Sequence, residues 1–318
     1  MKDNENLPII NALKKYVHKK VFSYDVPGHK HISIDKNMKP LFASNIYKYD
    51  LNSPIGLDNI INPNGVIKYS LKKASTILHS DNSLYLINGS SSGIHIMIMS
   101  VCKENEKIIL PRNVHKSVIN ALIFSGAIPI FINPSINFDY GIPNNITSKQ
   151  YIDTIKKYDD AKAVFITYPS YYGSYIDILP IIKFAHRMHM AVLVDQAHGA
   201  HFSFHPKLPI SSSLLGADLI VMSTHKTIGS LTQSSILLHN GIIINFEYLK
   251  KIYLMFCTTS PSYLLLSSLE SSINNISQHG KKKYNELISN CIYIKKKINE
   301  LPGLSVFGLN TIDKNNFD

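Results

Sequence analysis

Lys226 stands in "VMSTHKTIGSLTQSS" (residues 221–235), directly after the apolar run "ADLIVM". A lysine at the end of a buried strand is a candidate Schiff-base former, because loss of water lowers the ammonium pKa and frees the amine. Asp195 closes another apolar run, "AVLVD". A carboxylate there needs a partner, and two readings are open: it caps the following turn, or it faces a pyridinium N–H. "NGSSSGI" follows a third apolar run, and Gly89, Ser90, Ser91, Ser92 and Gly93 could cradle a phosphate on backbone N–H groups at a helix start. No Gly-Lys-Ser/Thr ends that turn, so it is not a Walker motif. His115 could lie flat on an aromatic ligand or simply begin a helix, and Arg112 could be a surface residue. His198, His201 and His205 invite a metal, but no obvious carboxylate set accompanies them, and none is expected.

These residues need elements to hold them. Short apolar runs alternate with helical stretches: "SLYLI", a helix from about Gly93 to Cys102, "KIIL", "HKSVINALIFSG" ending at Gly126, and "IPIFI". A capping box at Thr147 and Gln150 precedes "YIDTIKKY", followed by "AVFITY", a helix near 178–189, "AVLVD", "LIVMST" and "SSILLH". Strands without polar alternation, separated by helices, predict an α/β fold with a mainly parallel sheet covered on both faces. Ligands bind beyond the carboxyl ends of such strands, where "NGSSSG", "PRNVH", "YPSYYG", "DQAHGAH" and "STHK" lie. Together, a phosphate cradle, a buried aspartate and a strand-end lysine point to a pyridoxal 5'-phosphate (PLP) site. Ahead of this block, Pro8 suits a first helical position, with Ile9, Leu13, Tyr16 and Val17 on one face.

The totals agree with a soluble globular protein. Of 318 residues, 45% are hydrophobic and 17% charged. The three cysteines have no metal-ligand spacing. "MKDNENLPII" lacks a signal peptide's basic start, and no apolar run reaches membrane-spanning length, so a cytoplasmic protein is expected. The net charge of +11 gathers in "GKKKYNELISNCIYIKKKINEL". There Leu287, Cys291, Ile294, Ile298 and Leu301 mark the apolar face of a helix whose lysines face water, so neither nucleic acid nor membrane is expected as a partner.

"VMSTHKTIGSLTQSS" also resembles the PLP attachment signature of the Orn/Lys/Arg decarboxylase family. The resemblance runs through "DVPGHK", "NGSSSGIHIMI", "PRNVHKSVINALIFSGAIPIFI", "YPSYYGSYIDI", "VDQAHGAHFSFHPKLP" and "TTSPSYLLLSSLE", and is with the shorter bacterial members. It implies the PLP-dependent transferase-like large domain of fold-type I. Lys226 would carry the cofactor, and Asp195 would pair with the pyridine nitrogen. His115 and Ala197 would cover the two ring faces, with His198 also in the cofactor set. Gly89, Ser90, Ser91 and Ser223 would hold the phosphate, and His225 would sit near the reacting carbon. A basic amino acid would be the substrate, and a homodimer or larger assembly the working form, with "TTSPSY" reaching the neighbour's cofactor.

Implied domains are an N-terminal helix and arm (1–65), a PLP-binding large domain (66–245), and a helical connection into a truncated C-terminal small domain (246–318), in which "LSVFG" is a possible strand. Gln196 stands where this subgroup commonly has Glu, which removes a charge beside the site. An aminotransferase on the same fold and a non-catalytic PLP-binding chain or partner subunit are the alternatives.

Overall fold

Strand formation follows the apolar runs closely. The computed structural model describes residues 7–19, 21–32, 37, 39–42 and 45–308. The first elements are helices α1 (Pro8–His18), α2 (Lys39–Phe42), α3 (Asn45–Tyr49) and α4 (Val66–Leu78). The alternating core then comprises β1 (Asn82–Leu86), α5 (Gly89–Val101), β2 (Lys107–Pro111), α6 (Lys116–Ser125) and β3 (Ile128–Ile132). A small hairpin, β4 (Ile136–Asn137) and β5 (Ile142–Pro143), precedes α7 (Ser148–Lys157), β6 (Ala163–Thr167), α8 (Leu179–Arg187) and β7 (Ala191–Asp195). The remainder is α9 (Ser212–Leu215), β8 (Leu219–Met222), α10 (Thr224–Thr227), β9 (Ser235–His239), α11 (Phe246–Phe256) and α12 (Tyr263–Asn299).

The main sheet has seven strands in the order β1-β9-β8-β7-β6-β2-β3. β9 alone runs against its neighbours, pairing antiparallel with both β1 and β8. The other pairings are parallel, with Thr167 opposite Asp195 and Asp195 opposite Val221. Both faces are covered, which is why β7 and β9 are buried along their whole length. The carboxyl ends of β1, β2, β6, β7 and β8 therefore gather along one edge.

Local signals set the helix boundaries. The Thr147–Gln150 capping box forms in both directions. Gly126 ends α6 in the left-handed region. Pro8 opens α1, whose first N–H groups, at Ile9 and Ile10, are accepted by the Glu270 carboxylate of α12 (3.0 and 2.9 Å). The buried face of α1 is Ile9 and Leu13, with Tyr16 and Val17 half-buried. Gly93 is required by packing: a Cβ there would stand 2.6 Å from both Leu86 Cδ1 and Val221 Cγ2. That contact seats α5 directly on β1 and β8.

Three expectations change. The helix placed at about Gly93 starts at Gly89, so the serines occupy its first turn rather than a preceding loop. "LSVFG" forms no strand, because it follows the turn that ends α12 and pairs with no strand among the described residues; the rest of "LSVFGLNTIDKNNFD" lies outside them. The third concerns α12, one 37-residue helix. Its first part is sealed into the core through Tyr263, Leu266, Leu269, Ile273, Ile276 and Tyr284. Beyond that point Leu287, Cys291 and Ile294 are exposed, and Leu301 lies past the helix end, also exposed. The stripe exists, but the helix has run past the layer it packs on.

Candidate active site

The strand-end segments converge on a cleft of about 730 Å³ at the carboxyl edge of the sheet. Its lining includes Gly89, Ser90, Ser91, His115, Asp195, Ala197, His198, His225 and Lys226. Ser223 is fully buried beneath it and reaches the cleft only through Ser90, to whose Oγ its hydroxyl donates (2.8 Å).

Lys226 does not sit on the strand itself. β8 ends at Met222 and the lysine lies in α10, the single turn that follows. That turn is pinned on two sides. Thr224 Oγ1 donates to the Ser234 carbonyl (2.9 Å), and His225 Nδ1–H donates to the same carbonyl (2.8 Å). From the other side, Tyr284 of α12 donates its hydroxyl to the Thr227 carbonyl (2.9 Å). The Lys226 side chain is exposed rather than buried, because the cleft opens to solvent in the single chain. Its ammonium donates to His198 Nε2 at 3.0 Å. Burial, and then the electrostatic influence of neighbouring Lys226 and His115, hold the His198 pKa below its ordinary value, so this ring is a neutral acceptor.

Asp195 is buried and its pKa is raised, with desolvation the largest cause. The backbone hydrogen bond from Ala197 and the electrostatic influence of Lys226 and His115 pull in the other direction. Oδ1 accepts from the Ala197 N–H (3.0 Å), so the turn-capping reading holds for one oxygen. No hydrogen bond to Oδ2 forms among the described residues. His115 likewise begins α6: its Nδ1 accepts from the Ser117 N–H (3.2 Å), which leaves Nε2 for the cleft.

Gln196 corrects an expectation. Its side chain is fully buried away from the cleft, donating to the Gly199 carbonyl and Ser211 Oγ and accepting from Ser212 N–H and Oγ. The amide clamps the loop after β7 to the start of α9, so replacing Glu here removes no charge from the cleft wall. His201 and His205 turn elsewhere, the first stacking near Phe202 and Tyr284, the second bonding Asn285 Oδ1 (2.8 Å).

Residue-by-residue reading missed Thr167, Tyr171, Tyr172, Gln233 and the Asn144–Asn145 pair, all on the lining. Thr167 was accessible in principle as the last residue of a strand. Its Oγ1 is buried without a partner among the described residues. Tyr171 and Tyr172 lie in a segment recognised as rich in chemistry, but nothing in it said which side chain turns inward. Gln233 acts through its backbone, its carbonyl accepting from the Gly89 N–H (2.8 Å). Asn144 and Asn145 arrive through the β4–β5 hairpin, whose placement no sequence pattern announces.

The donor set fits PLP. The first turn of α5 has no side-chain cap, so the N–H groups and hydroxyls of Ser90 and Ser91 are available to a phosphate, while the Gly89 N–H is already taken by the Gln233 carbonyl. Asp195 Oδ2 needs an N–H cation, and the orphaned Thr167 hydroxyl stands opposite it in register. Lys226 provides the amine.

A family model described as "Orn/Lys/Arg decarboxylase, major domain" matches residues 7–317, and the chain belongs to this family. It is 35% identical over 302 residues to the arginine decarboxylase of Bacillus subtilis (strain 168), with 95% of this chain and 62% of that protein covered. The chain thus spans about three-fifths of that relative's length. Among solved structures, the constitutive lysine decarboxylase of E. coli superposes with a TM-score of 0.81 at 21% identity, covering 95% of this chain and 46% of the other. A variant of a protein named SPT, solved with PLP, shares the fold at a TM-score of 0.59 and 17% identity, covering 73% of this chain and 56% of that one. The fold is that of the fold-type I PLP enzymes, and PLP is the cofactor of the family.

Proposed function

We propose, with membership of the Orn/Lys/Arg decarboxylase family as premise, that this chain is the catalytic core of a PLP-dependent decarboxylase of a basic amino acid, arginine first. The observation carrying that reading is the convergence of Lys226, Asp195 and the α5 amino end on one cleft. PLP, when bound, supplies an aldehyde for amine chemistry and a ring that takes up the electron pair left as CO₂ departs.

The chain's own residues would do the rest. Ser90 and Ser91 would hold the phosphate, Gly89 would shape the turn with its N–H tied to the Gln233 carbonyl, and Ser223 orients the Ser90 hydroxyl. Asp195 Oδ2 would keep a proton on the cofactor's ring nitrogen, the condition under which the ring draws electrons. His115 and Ala197, both on the cleft lining, would cover the ring faces and limit water. His198 would hold the free Lys226 amine, since the two already lie at hydrogen-bonding distance. His225, with Nδ1–H tied to Ser234, presents Nε2 as the proton carrier toward Cα, and Lys226 Nζ is the other group in reach.

Arginine is favoured by the name of the Bacillus subtilis relative. The product would be agmatine, or a diamine from lysine or ornithine, feeding polyamine synthesis in the cytoplasm. No helix among the described residues is long and apolar enough to cross a membrane. A homodimer or larger form is supported by the apolar side chains that α6 and α11 leave exposed, Ile123, Phe124 and Met255. The aminotransferase reading is weaker. Such enzymes usually clamp the α-carboxylate with arginine, yet Arg112 lies over Phe131 and Arg187 over Phe184, and neither lines the cleft.

The test is reconstitution with PLP and assay of CO₂ against keto-acid release from arginine, lysine and ornithine. Wild-type chain should show near-visible cofactor absorbance and release CO₂. Lys226→Ala should lose both, with turnover down by about a thousandfold or more. Cofactor binding without CO₂ would favour a non-catalytic chain or one completed by a partner.

A further inference from the structure

Acidic chemistry occurs at one place in the cleft. Among the described lining residues, Asp195 is the sole carboxylate. It lies on the sheet floor, opposite Thr167, and under the reading above it serves the ring nitrogen. It is therefore unavailable to the second positive group that a basic amino acid must bring, and burying that group without a partner is costly.

The cleft wall offers π-faces instead. Tyr171 and Tyr172 are 77% and 45% exposed, unusually open for aromatic residues of a cleft. Their rings stand perpendicular at 5.4 Å. Tyr171 also meets the His198 ring edge-on at 5.6 Å, and His198 accepts the Lys226 ammonium at 3.0 Å. The Tyr171 ring thus lies one imidazole away from the point where a substrate's α-amine must arrive. An extended basic side chain spans such a step. The Asn144 amide lies on the same lining, as does Asn145, whose Oδ1 already accepts from Ser174 Oγ (3.1 Å).

We propose that Tyr171 and Tyr172 form the subsite for the distal cation and that they select a guanidinium over a primary ammonium. This rests on the decarboxylase reading and adds to it the residues that choose the substrate. A guanidinium is planar and weakly hydrated, so it stacks on a ring while its in-plane N–H groups reach amide oxygens. An ammonium is compact and strongly hydrated, and without a carboxylate it gains little from leaving water. Aromatic faces without an acid favour the first.

The test uses the PLP-loaded chain and two probes without a carboxylate, agmatine for the guanidinium and cadaverine for the ammonium, titrated by calorimetry. Wild type should bind agmatine about tenfold more tightly than cadaverine. Tyr171→Leu and Tyr172→Leu should each bring that ratio toward one, with cofactor absorbance intact as a check on folding. Tyr171→Phe, which keeps the ring, should restore most of the preference lost in Tyr171→Leu. With substrates, the leucine variants should raise KM for arginine much more than they lower kcat. Preference for cadaverine, binding of neither probe, or an unchanged ratio in both leucine variants would overturn the proposal. Retained agmatine preference without CO₂ release from any basic amino acid would instead sink the decarboxylase reading and leave the subsite standing.

Discussion

One aspartate closes β7 and another stands just ahead of β8, so the two lie at opposite ends of the sheet, and the two ends are finished differently. At the amino end, Asp218 Oδ2 accepts from the Val192 N–H (2.7 Å) and pairs with His186 Nε2 (2.9 Å). That hydrogen bond raises the His186 pKa, so the pair is closed within the protein. At the carboxyl end, Asp195 has one backbone N–H and, among the described residues, an oxygen without a partner, and its pKa is pushed up by burial. Buried polar groups are nearly always satisfied, so an end left incomplete is one where something else is meant to bind. The same sheet is closed for stability at one edge and open for chemistry at the other.

The contrast predicts opposite phenotypes for two similar substitutions. Under the proposed function, Asp195→Asn should lower turnover of the PLP-loaded chain by upward of about a hundredfold. In the cofactor-free chain it should leave stability unchanged or raise it by up to about 1 kcal/mol, because a strained carboxylate is removed. Asp218→Ala should destabilise by about 2–4 kcal/mol, since a buried N–H and His186 both lose their acceptor, while the cofactor spectrum of folded protein stays normal. Chemical denaturation beside PLP titration separates the two. Equal loss of stability from both changes would erase the distinction between the ends.

Acidification should divide the ends as well. His186 has a raised pKa in the folded state, so its contribution is fully present below the unfolded value near 6.5 and is lost as pH rises through the folded one. His198 is lowered, and His201 is pushed down by burial to about 4. The unfolded chain takes up those protons first, so this end loses stability as pH falls from about 6.5 toward 4. For His201 alone the loss approaches roughly 3 kcal/mol. Hydrogen exchange at pH 4.5 should show residues 196–204 opening while 186–192 stay protected, and His201→Phe should restore part of the protection. Uniform opening along the strands would contradict the division.

Much of this arrangement was legible in the sequence because period and punctuation are local properties. Apolar runs without alternation gave the buried strands, and Thr147 with Gln150 gave a helix start. The strand-end rule brought Ser90, His115, Asp195 and Lys226 into one region without any coordinates. Side-chain direction was not legible. Gln196 lies one residue past the end of β7, where strand alternation no longer dictates direction, and it turns away from the cleft that Asp195 faces. Thr167, though level with Asp195, is an unremarkable residue type in sequence. Tyr171 and Tyr172 depend on how an irregular loop turns. The exposed half of α12 has the periodicity of a packed helix, and periodicity alone does not say whether a surface exists to receive it.

Gln196 sharpens the comparison, because it lies at the open end yet belongs to the closed kind of chemistry. Its amide nitrogen donates to the Gly199 carbonyl (2.9 Å) and Ser211 Oγ (3.1 Å), while its oxygen accepts from Ser212 N–H (2.9 Å) and Oγ (2.6 Å). Gln196→Glu keeps the shape and the accepting oxygen but sets a second oxygen against the Gly199 carbonyl, where only a donor is tolerated. The site is fully buried, so no water can take over the bond. The expected cost is about 1–3 kcal/mol in unfolding free energy. PLP affinity and cofactor absorbance of the folded variant should match wild type, since the side chain touches nothing on the cleft lining. A shifted cofactor spectrum with unchanged stability would mean that this position faces the ring environment after all, and that the open end begins one residue earlier than Ala197.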